Sequence, residues 1–225
     1  MVKKLKTSGM ELSVAIKNLF VSKSVISAVM KQCGRCDFLE RNQFEMYWSY
    51  YLSIEKMMKN TSQYVCPSKN NRYTYSDEFM KIILLSCSEI DSILKVICKE
   101  NNVLLDDKKY NMSVYSKVLL EQDDIKGWAF SPECSTSSRG GGIICFPFKD
   151  LNTDKPYGGL SWWKDYQKLK HNRLDNAEVG NLENAVYAIT AHFILLRILM
   201  ESLSEKSGRD YVIEKYWSDY LIICI

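Results

Sequence analysis

Hydrophobic and polar positions repeat at helical spacing over most of this chain. Apolar side chains recur every three or four residues, which is the period of an α-helix with one buried face. Ser76 is placed to cap a central helix, because its hydroxyl can accept a first-turn N–H and Asp77 and Glu78 suit the helix dipole there. The pattern predicts helices over about 42–59, 76–99, 106–122, 162–173, 181–205 and 210–225.

An irregular region, residues 123–160, interrupts the helical pattern. An insertion of more than about 15 residues without helical period is uncommon and tends to be functional or mobile. Within it, Ile143 to Phe146 has the composition of one short strand, and no GK[ST] follows the glycines at 140–142, which argues against a P-loop. We expect 135–142 to be mobile and four aromatic residues to anchor the rest, namely Trp128, Phe130, Phe146 and Phe148.

These elements predict an all-α fold, a helical bundle with a long irregular insertion. A shorter amphipathic segment at the N-terminus ends near Gly34, where the pattern breaks. We therefore divide the chain into a helical appendage at 1–36 and a main helical domain at 37–225. The length of 225 residues and the 46% of hydrophobic residues are enough to close one core.

Charge and cysteine usage narrow the functional classes. Thirty basic residues against 27 acidic ones leave a net charge of +3, so any contact with nucleic acid must be local. The eight cysteines are scattered through apolar patterns, which indicates free buried thiols in a reducing compartment. Cys33 and Cys36 form the only CxxC and lack a second ligand pair, so we predict neither zinc nor another cofactor.

The most apolar stretch, Ala185 to Met200, bears on localisation. It falls short of the roughly 20 residues that a membrane span needs, so it is predicted to be a buried core helix. The basic N-terminus is not followed by an apolar run of signal-peptide length. A cytoplasmic protein without membrane contact is the expectation.

Two groups of polar residues are candidates for chemistry. Glu89 projects between apolar positions of the central helix, where a carboxylate needs a cation or N–H donors. A cationic cluster follows Trp162 and Trp163, whose rings should pin that helix to the core. It comprises Lys168, Lys170, His171 and Arg173, with Tyr166 on the face of Lys170 and Arg173 and Gln167 one turn before His171.

The spacing leaves structural and functional explanations open. We expect Glu89 to pair with Lys170, His171 or Arg173, either as a structural ion pair or as part of a site. A solvated basic face is the simpler interpretation of the cluster. Glu55 and Asp91 lie at the edges of apolar arcs, where carboxylates commonly pair with a lysine of the next helix. His192 is expected to be a hydrogen-bonded core histidine, and two histidines without a nucleophile elbow disfavour classical hydrolase chemistry.

At these residues the chain resembles HEPN proteins, a superfamily of small helical bundles that includes metal-independent ribonucleases of toxin–antitoxin and phage-defence systems. The resemblance covers about residues 40–203 without 123–160. In the family motif, Arg and usually Asn precede His by a few residues, and a long apolar helix follows. Here Tyr166 occupies the position of the Arg, Gln167 that of the Asn and His171 that of the His. Bacterial HEPN-like proteins with a Trp-Trp…Lys-His-x-Arg signature are more similar than the nucleases.

The resemblance implies an antiphage-defence or toxin–antitoxin protein that binds or acts on RNA, as a homodimer or with a co-encoded protein. Lys168, Lys170 and Arg173 would contact nucleic acid. The catalytic candidates are His171, Lys170, Arg173, Tyr166 and Glu89, and without the motif's Arg any cleavage should be weak and metal-independent. Two alternatives are a non-enzymatic interaction module, in which Glu89 and the cluster lock the core, and a nucleotide sensor that uses Arg139 to Gly142.

Overall fold

The computed structural model describes residues 41–122, 124–133, 141–207 and 215–224. The predicted appendage at 1–36, with Cys33 and Cys36, lies outside these described residues. The described elements are mostly helical, which confirms the all-α prediction. The α-helices are α1 (Arg41–Ser62), α2 (Asp77–Glu100), α3 (Met112–Leu120), α4 (Ser161–His171) and α5 (Leu182–Ser207), and the strands are β1 (Ala129–Pro132) and β2 (Leu221–Cys224).

Short 3-10 turns connect the longer elements. They lie at Lys69–Asn71, Asp107–Lys109, Ile125–Gly127, Pro156–Gly159 and Leu174–Val179. The weak helical segment predicted at 106–122 is thus one such turn followed by α3. Ser76 caps α2 as predicted, since its hydroxyl accepts the backbone N–H of Phe79 at 3.1 Å. Ser161, by contrast, begins α4 without a side-chain cap.

The core is built around α5, which is buried along most of its length. Helix α2 packs along it, α1 and α4 each contact both α2 and α5, and α3 lies against α2. The apolar part of α5, Leu182–Ser204, is 23 residues long, and by length and composition it could cross a membrane, so the prediction that this stretch is too short was wrong. Burial of 83% of its most apolar window confirms the core-helix interpretation.

A cluster of aromatic rings joins the C-terminal segment to the core. Phe193 of α5 lies 5.3 Å from Phe130 and 5.7 Å from Trp217, between ring centroids in edge-to-face geometry. Trp48 of α1 lies 5.6 Å from Tyr216 in the same arrangement. Such pairs add about 0.5–1.5 kcal/mol each beyond the apolar area they bury. The segment after residue 214 therefore docks on the bundle.

The strand prediction was wrong in position. The antiparallel pair is β1 with β2, in which Phe130 lies opposite Ile223. Cys145, in the predicted strand 143–146, makes only an isolated bridge to Phe130, with N···O distances of 3.0 and 2.8 Å. The predicted final helix is also wrong over 215–224, because β2 forms there. One residue pair is too short a ladder for a strand, whereas Leu221–Cys224 pairs with β1 over four residues.

The insertion packs by some of its predicted anchors. Phe130 and Phe148 are fully buried, while Trp128 and Phe146 are half-buried. The Trp162 indole N–H donates to the Pro147 carbonyl oxygen at 2.8 Å and so ties the insertion to α4. Residues 134–140, which include most of the segment expected to be mobile and Arg139, lie outside the described residues.

Candidate functional site

Helix α4 presents the predicted cationic cluster. Trp162, Trp163, Tyr166 and Leu169 are buried, so one face of this helix is fixed against the core as expected. The helix ends at His171 because Asn172 leaves helical geometry, with φ −150° and ψ 71°. The sequence predicted that the helix continues to Arg173. The cluster therefore occupies the C-terminal end of α4 and the turn after it, and helical angles do not apply to Arg173.

Lys170, His171 and Arg173 are exposed. Within the described ranges none of the three side chains makes a hydrogen bond or an ion pair, although the Lys170 ammonium lies 5.7 Å from the centre of the Tyr166 ring. Lys168 differs, since its ammonium lies 2.7 Å from the Asp165 carboxylate. The exposed positions give no support to a role in locking the core. They leave two cations and one imidazole available to an external anion.

Glu89 does not make the predicted contact. Its side chain is half-buried on α2, and no ion pair or hydrogen bond joins it to Lys170, His171 or Arg173 among the described residues. Partial burial raises the pKa of the Glu89 carboxyl above its usual value. Partial burial also raises the pKa of Tyr47, and the Glu89 charge adds to that increase. A helical wheel gives the direction in which Glu89 points from α2, but it does not show which neighbouring element lies in that direction. Glu89 is therefore separate from the cationic cluster.

The deeply buried carboxylate is instead Glu55 of α1, with 2% exposure. The Tyr51 hydroxyl donates to it at 3.0 Å, the Ser218 hydroxyl also donates to it, and the Lys59 ammonium lies 3.6 Å away. Ser218 further accepts the backbone N–H of Leu221 at 2.8 Å. This network fastens the C-terminal segment to α1. The Tyr51 and Ser218 hydroxyls and the Glu55 carboxylate are enclosed, so a structural role explains these groups.

Asp91 also pairs within its own helix rather than with the next one. The Lys95 ammonium lies 2.8 Å from one carboxylate oxygen, and the Tyr115 hydroxyl donates to the other at 2.8 Å. The Tyr115 hydroxyl is held in the protein interior, and burial, with the neighbouring Asp91 charge, raises its pKa. Sequence patterns could not show the hydrogen bond between Tyr115 and Asp91, because Tyr115 lies on α3, 24 residues away.

Two grooves lie along the seam where α4 and its following turn pack on α2. The first, of about 310 Å³, lies at the N-terminal half of α2 and brings Arg173 next to Asp77 and Lys81. Apolar residues Met80, Leu84, Leu174 and Ala177 complete it. Since Lys81 is already paired with Glu78 at 2.6 Å, Arg173 is the cation of this groove that has no carboxylate partner in the described part of the chain.

The second groove, of about 580 Å³, lies at the other end of the seam, where α3 and residues 153–157 also contribute. We call it the aromatic groove, because four of its lining residues are aromatic. Sequence reasoning missed it, since these residues come from four separate segments. Its principal lining residues are Tyr110, Tyr115, Tyr157 and Trp163, with the polar side chains of Asp91 and Gln167.

His192 is fully buried in α5, as predicted, but it is not hydrogen-bonded. Neither ring nitrogen has a partner in the described structure. Its ring meets the Tyr51 ring edge-to-face at 5.3 Å between centroids. Burial lowers the pKa of His192 to about 3, so the imidazole is neutral at physiological pH. The predicted burial is confirmed, and the predicted hydrogen bond is wrong.

Metal and thiol chemistry find little basis in the described residues. No group of three or more His, Cys, Asp or Glu side chains within them is arranged to hold a metal ion. Cys87, Cys98 and Cys145 are buried free thiols, as the sequence pattern predicted, and burial raises the pKa of each. The prediction of burial is wrong for Cys66, which is exposed, and holds only in part for Cys224, which is half-buried. Thiols with raised pKa values are poor nucleophiles at neutral pH.

Comparisons with protein-family models, curated proteins and solved structures give no match to this chain.

Proposed function

We propose that this chain is a HEPN-like RNA-binding protein of a bacterial or phage conflict system, and that Lys170, His171 and Arg173 contact the RNA backbone. In the same proposal it acts in the cytoplasm, as a homodimer or with a co-encoded protein. RNA is the chosen anion because the motif that carries the resemblance coincides with the exposed cluster. Binding, not robust cleavage, is the central claim.

The observation that carries the proposal is the pairing of charges around the seam. Lys81, Lys95 and Lys168 each have a carboxylate within 3 Å, at 2.6, 2.8 and 2.7 Å. Lys170, in the last turn of α4, and Arg173, just after the helix end, have no such partner among the described residues. Unpaired cations close in sequence to an exposed imidazole are suited to phosphate groups, because no existing ion pair has to be broken before they bind.

Salt dependence of RNA binding tests the proposal. Removing one phosphate-binding cation reduces the slope of log affinity against log salt by about 0.7 for a single strand. The double variant Lys170→Ala/Arg173→Ala should therefore bind a single-stranded oligonucleotide more weakly, with a slope reduced by about 1.4. Fluorescence anisotropy over a range of salt concentrations measures both quantities.

Lys56 and Lys126 provide a matched control, since both are exposed lysines away from the seam. The variant Lys56→Ala/Lys126→Ala removes the same net charge and should keep the wild-type slope. Equal effects of the two double variants would show that only net charge matters. A wild-type protein that binds no RNA would favour the interaction-module alternative.

A further inference from the structure

The aromatic groove contains two ring faces that are fixed before any ligand arrives. The rings of Tyr110 and Tyr115 are nearly parallel, with an interplanar angle of 12° and centroids 6.3 Å apart. The Tyr115 hydroxyl donates to Asp91, and the Tyr110 hydroxyl donates to the Val103 carbonyl oxygen at 2.8 Å. Because both hydroxyls are held, neither ring is free to turn, and the wall of the groove is preorganised.

A third ring, that of Tyr157, is held at the edge of the groove by unusual backbone geometry. Tyr157 is a non-glycine residue in the left-handed region, with φ 55° and ψ 24°. Gly158 follows at φ 64° and packs so closely on α3 that a Cβ there would lie 2.6 Å from the Ser116 hydroxyl. The close packing fixes the turn, while the Tyr157 side chain stays 43% exposed. A partly exposed ring at a cavity edge is available for stacking.

Gln167 supplies hydrogen-bonding groups that the protein does not use. Its half-buried amide lines the groove and has no hydrogen-bond partner within the described residues. An amide offers two donors and one acceptor in a plane, which matches the edge of a nucleobase. The partly exposed Tyr157 ring beside a free amide therefore favours a planar ligand with a polar edge over an aliphatic one.

We propose that the aromatic groove binds one nucleobase of the RNA, stacked on Tyr157 and hydrogen-bonded by Gln167. This inference rests on the proposed function. Gln167 lies one helical turn before His171 on α4, so a strand whose phosphates contact Lys170 and His171 reaches the groove with a neighbouring nucleotide. The volume of about 580 Å³ falls within the range of small-ligand sites.

Binding of two oligomers separates base recognition from phosphate recognition. One is a single-stranded oligoadenylate, and the other is an abasic ribose-phosphate oligomer of the same length. The wild-type protein should bind the oligoadenylate more tightly. Tyr157→Asn and Gln167→Ala should each weaken oligoadenylate binding by about fivefold or more, the effect of losing one stacked or read base, and leave abasic binding unchanged.

The variants are chosen so that folding does not decide the result. Asn tolerates the left-handed backbone better than most residues, so Tyr157→Asn removes the ring without adding strain. Gln167→Ala changes a half-buried side chain on the helix surface and gives an independent measurement. Tyr64 is 86% exposed and outside the groove, so Tyr64→Asn is the matched control and should bind both oligomers as the wild type does.

Each result decides one of the two proposals. Equal wild-type affinity for the two oligomers, or oligoadenylate preference that survives both groove variants, would overturn base binding in this groove and leave the phosphate contacts standing. Failure of the wild type to bind either oligomer would overturn the proposed function and this inference together.

Discussion

The neutral, buried His192 should make the fold sensitive to acid well above the pH at which carboxylates titrate. Its folded-state pKa of about 3 lies below the ordinary histidine value of about 6.5 expected in the unfolded chain. Between these values the unfolded state binds a proton that the folded state does not. The contribution of His192 to the free energy of unfolding is therefore complete above the pKa of the unfolded chain's histidine, and it is lost as the pH falls below that value.

The magnitude follows from the unfolded chain alone. Protonating one histidine stabilises the unfolded state by about 2.1 kcal/mol at pH 5 and about 0.2 kcal/mol at pH 7. The free energy of unfolding should therefore fall by about 2 kcal/mol over this interval because of His192. The result does not depend on the folded pKa being 3, since any value at or below about 4 leaves the folded imidazole neutral at pH 5.

Urea unfolding at pH 7 and pH 5, followed by circular dichroism, measures this loss. His192→Leu removes the imidazole at nearly constant volume, so the variant should lose about 2 kcal/mol less than the wild type over the interval. His171→Ala, which removes the chain's other histidine from an exposed position, is the matched control and should follow the wild type. Equal losses in wild type and His192→Leu would refute a buried neutral His192.

Three further predictions test other parts of the structure. Glu55→Ala should destabilise the fold by about 1–3 kcal/mol in urea unfolding, because the buried hydroxyls of Tyr51 and Ser218 lose their acceptor, whereas Glu78→Ala should have little effect because its partner Lys81 is exposed. Gly158→Ala should cost more in thermal unfolding than Gly141→Ala: both have positive φ, but a Cβ at 158 would meet Ser116 at 2.6 Å and one at 141 only Lys69 at 3.8 Å. Cleavage of labelled RNA in EDTA should be slow at most and absent in His171→Ala, so rapid cleavage that survives this substitution would contradict the site assignment.

The sequence predicted the parts of the fold that depend on local periodicity. Helices α1, α2 and α5 have long apolar faces, and their spacing could be found without knowledge of their partners. Strand β1 could not be found in this way, because it forms by pairing with a segment about 90 residues later in the chain. The prediction of a final helix was wrong for the same reason. Its apolar residues fit a helical period, but pairing with β1 decides its conformation.

The candidate site likewise combines features that the sequence predicts with contacts that it does not. The exposed end of α4 follows from the pinning tryptophans, whose buried rings orient the helix. The partners of the carboxylates could not be predicted in this way, because a helical wheel gives the direction of a side chain but does not identify the neighbour that it meets. Glu89 was expected to be the critical carboxylate, yet Glu55 is the one enclosed, since its partner Ser218 lies 163 residues away. The aromatic groove could not be predicted for the same reason, because its lining residues come from separate segments and form no pattern within any one of them.

The geometry around His171 separates binding from catalysis. A general base in RNA cleavage must be held near the 2′-hydroxyl, and a cation must meet the charge that develops on the phosphate. In the described structure no side chain orients the His171 imidazole, and Arg173 lies beyond the helix end in the groove beside Asp77. Binding tolerates such freedom, because phosphate contacts depend mainly on charge, but catalysis requires reacting groups within about 3–3.5 Å in a fixed orientation. In the proposed function, RNA binding therefore needs only the surface that one copy presents, whereas cleavage would also need the imidazole to be held in place, by the bound RNA or by a second molecule.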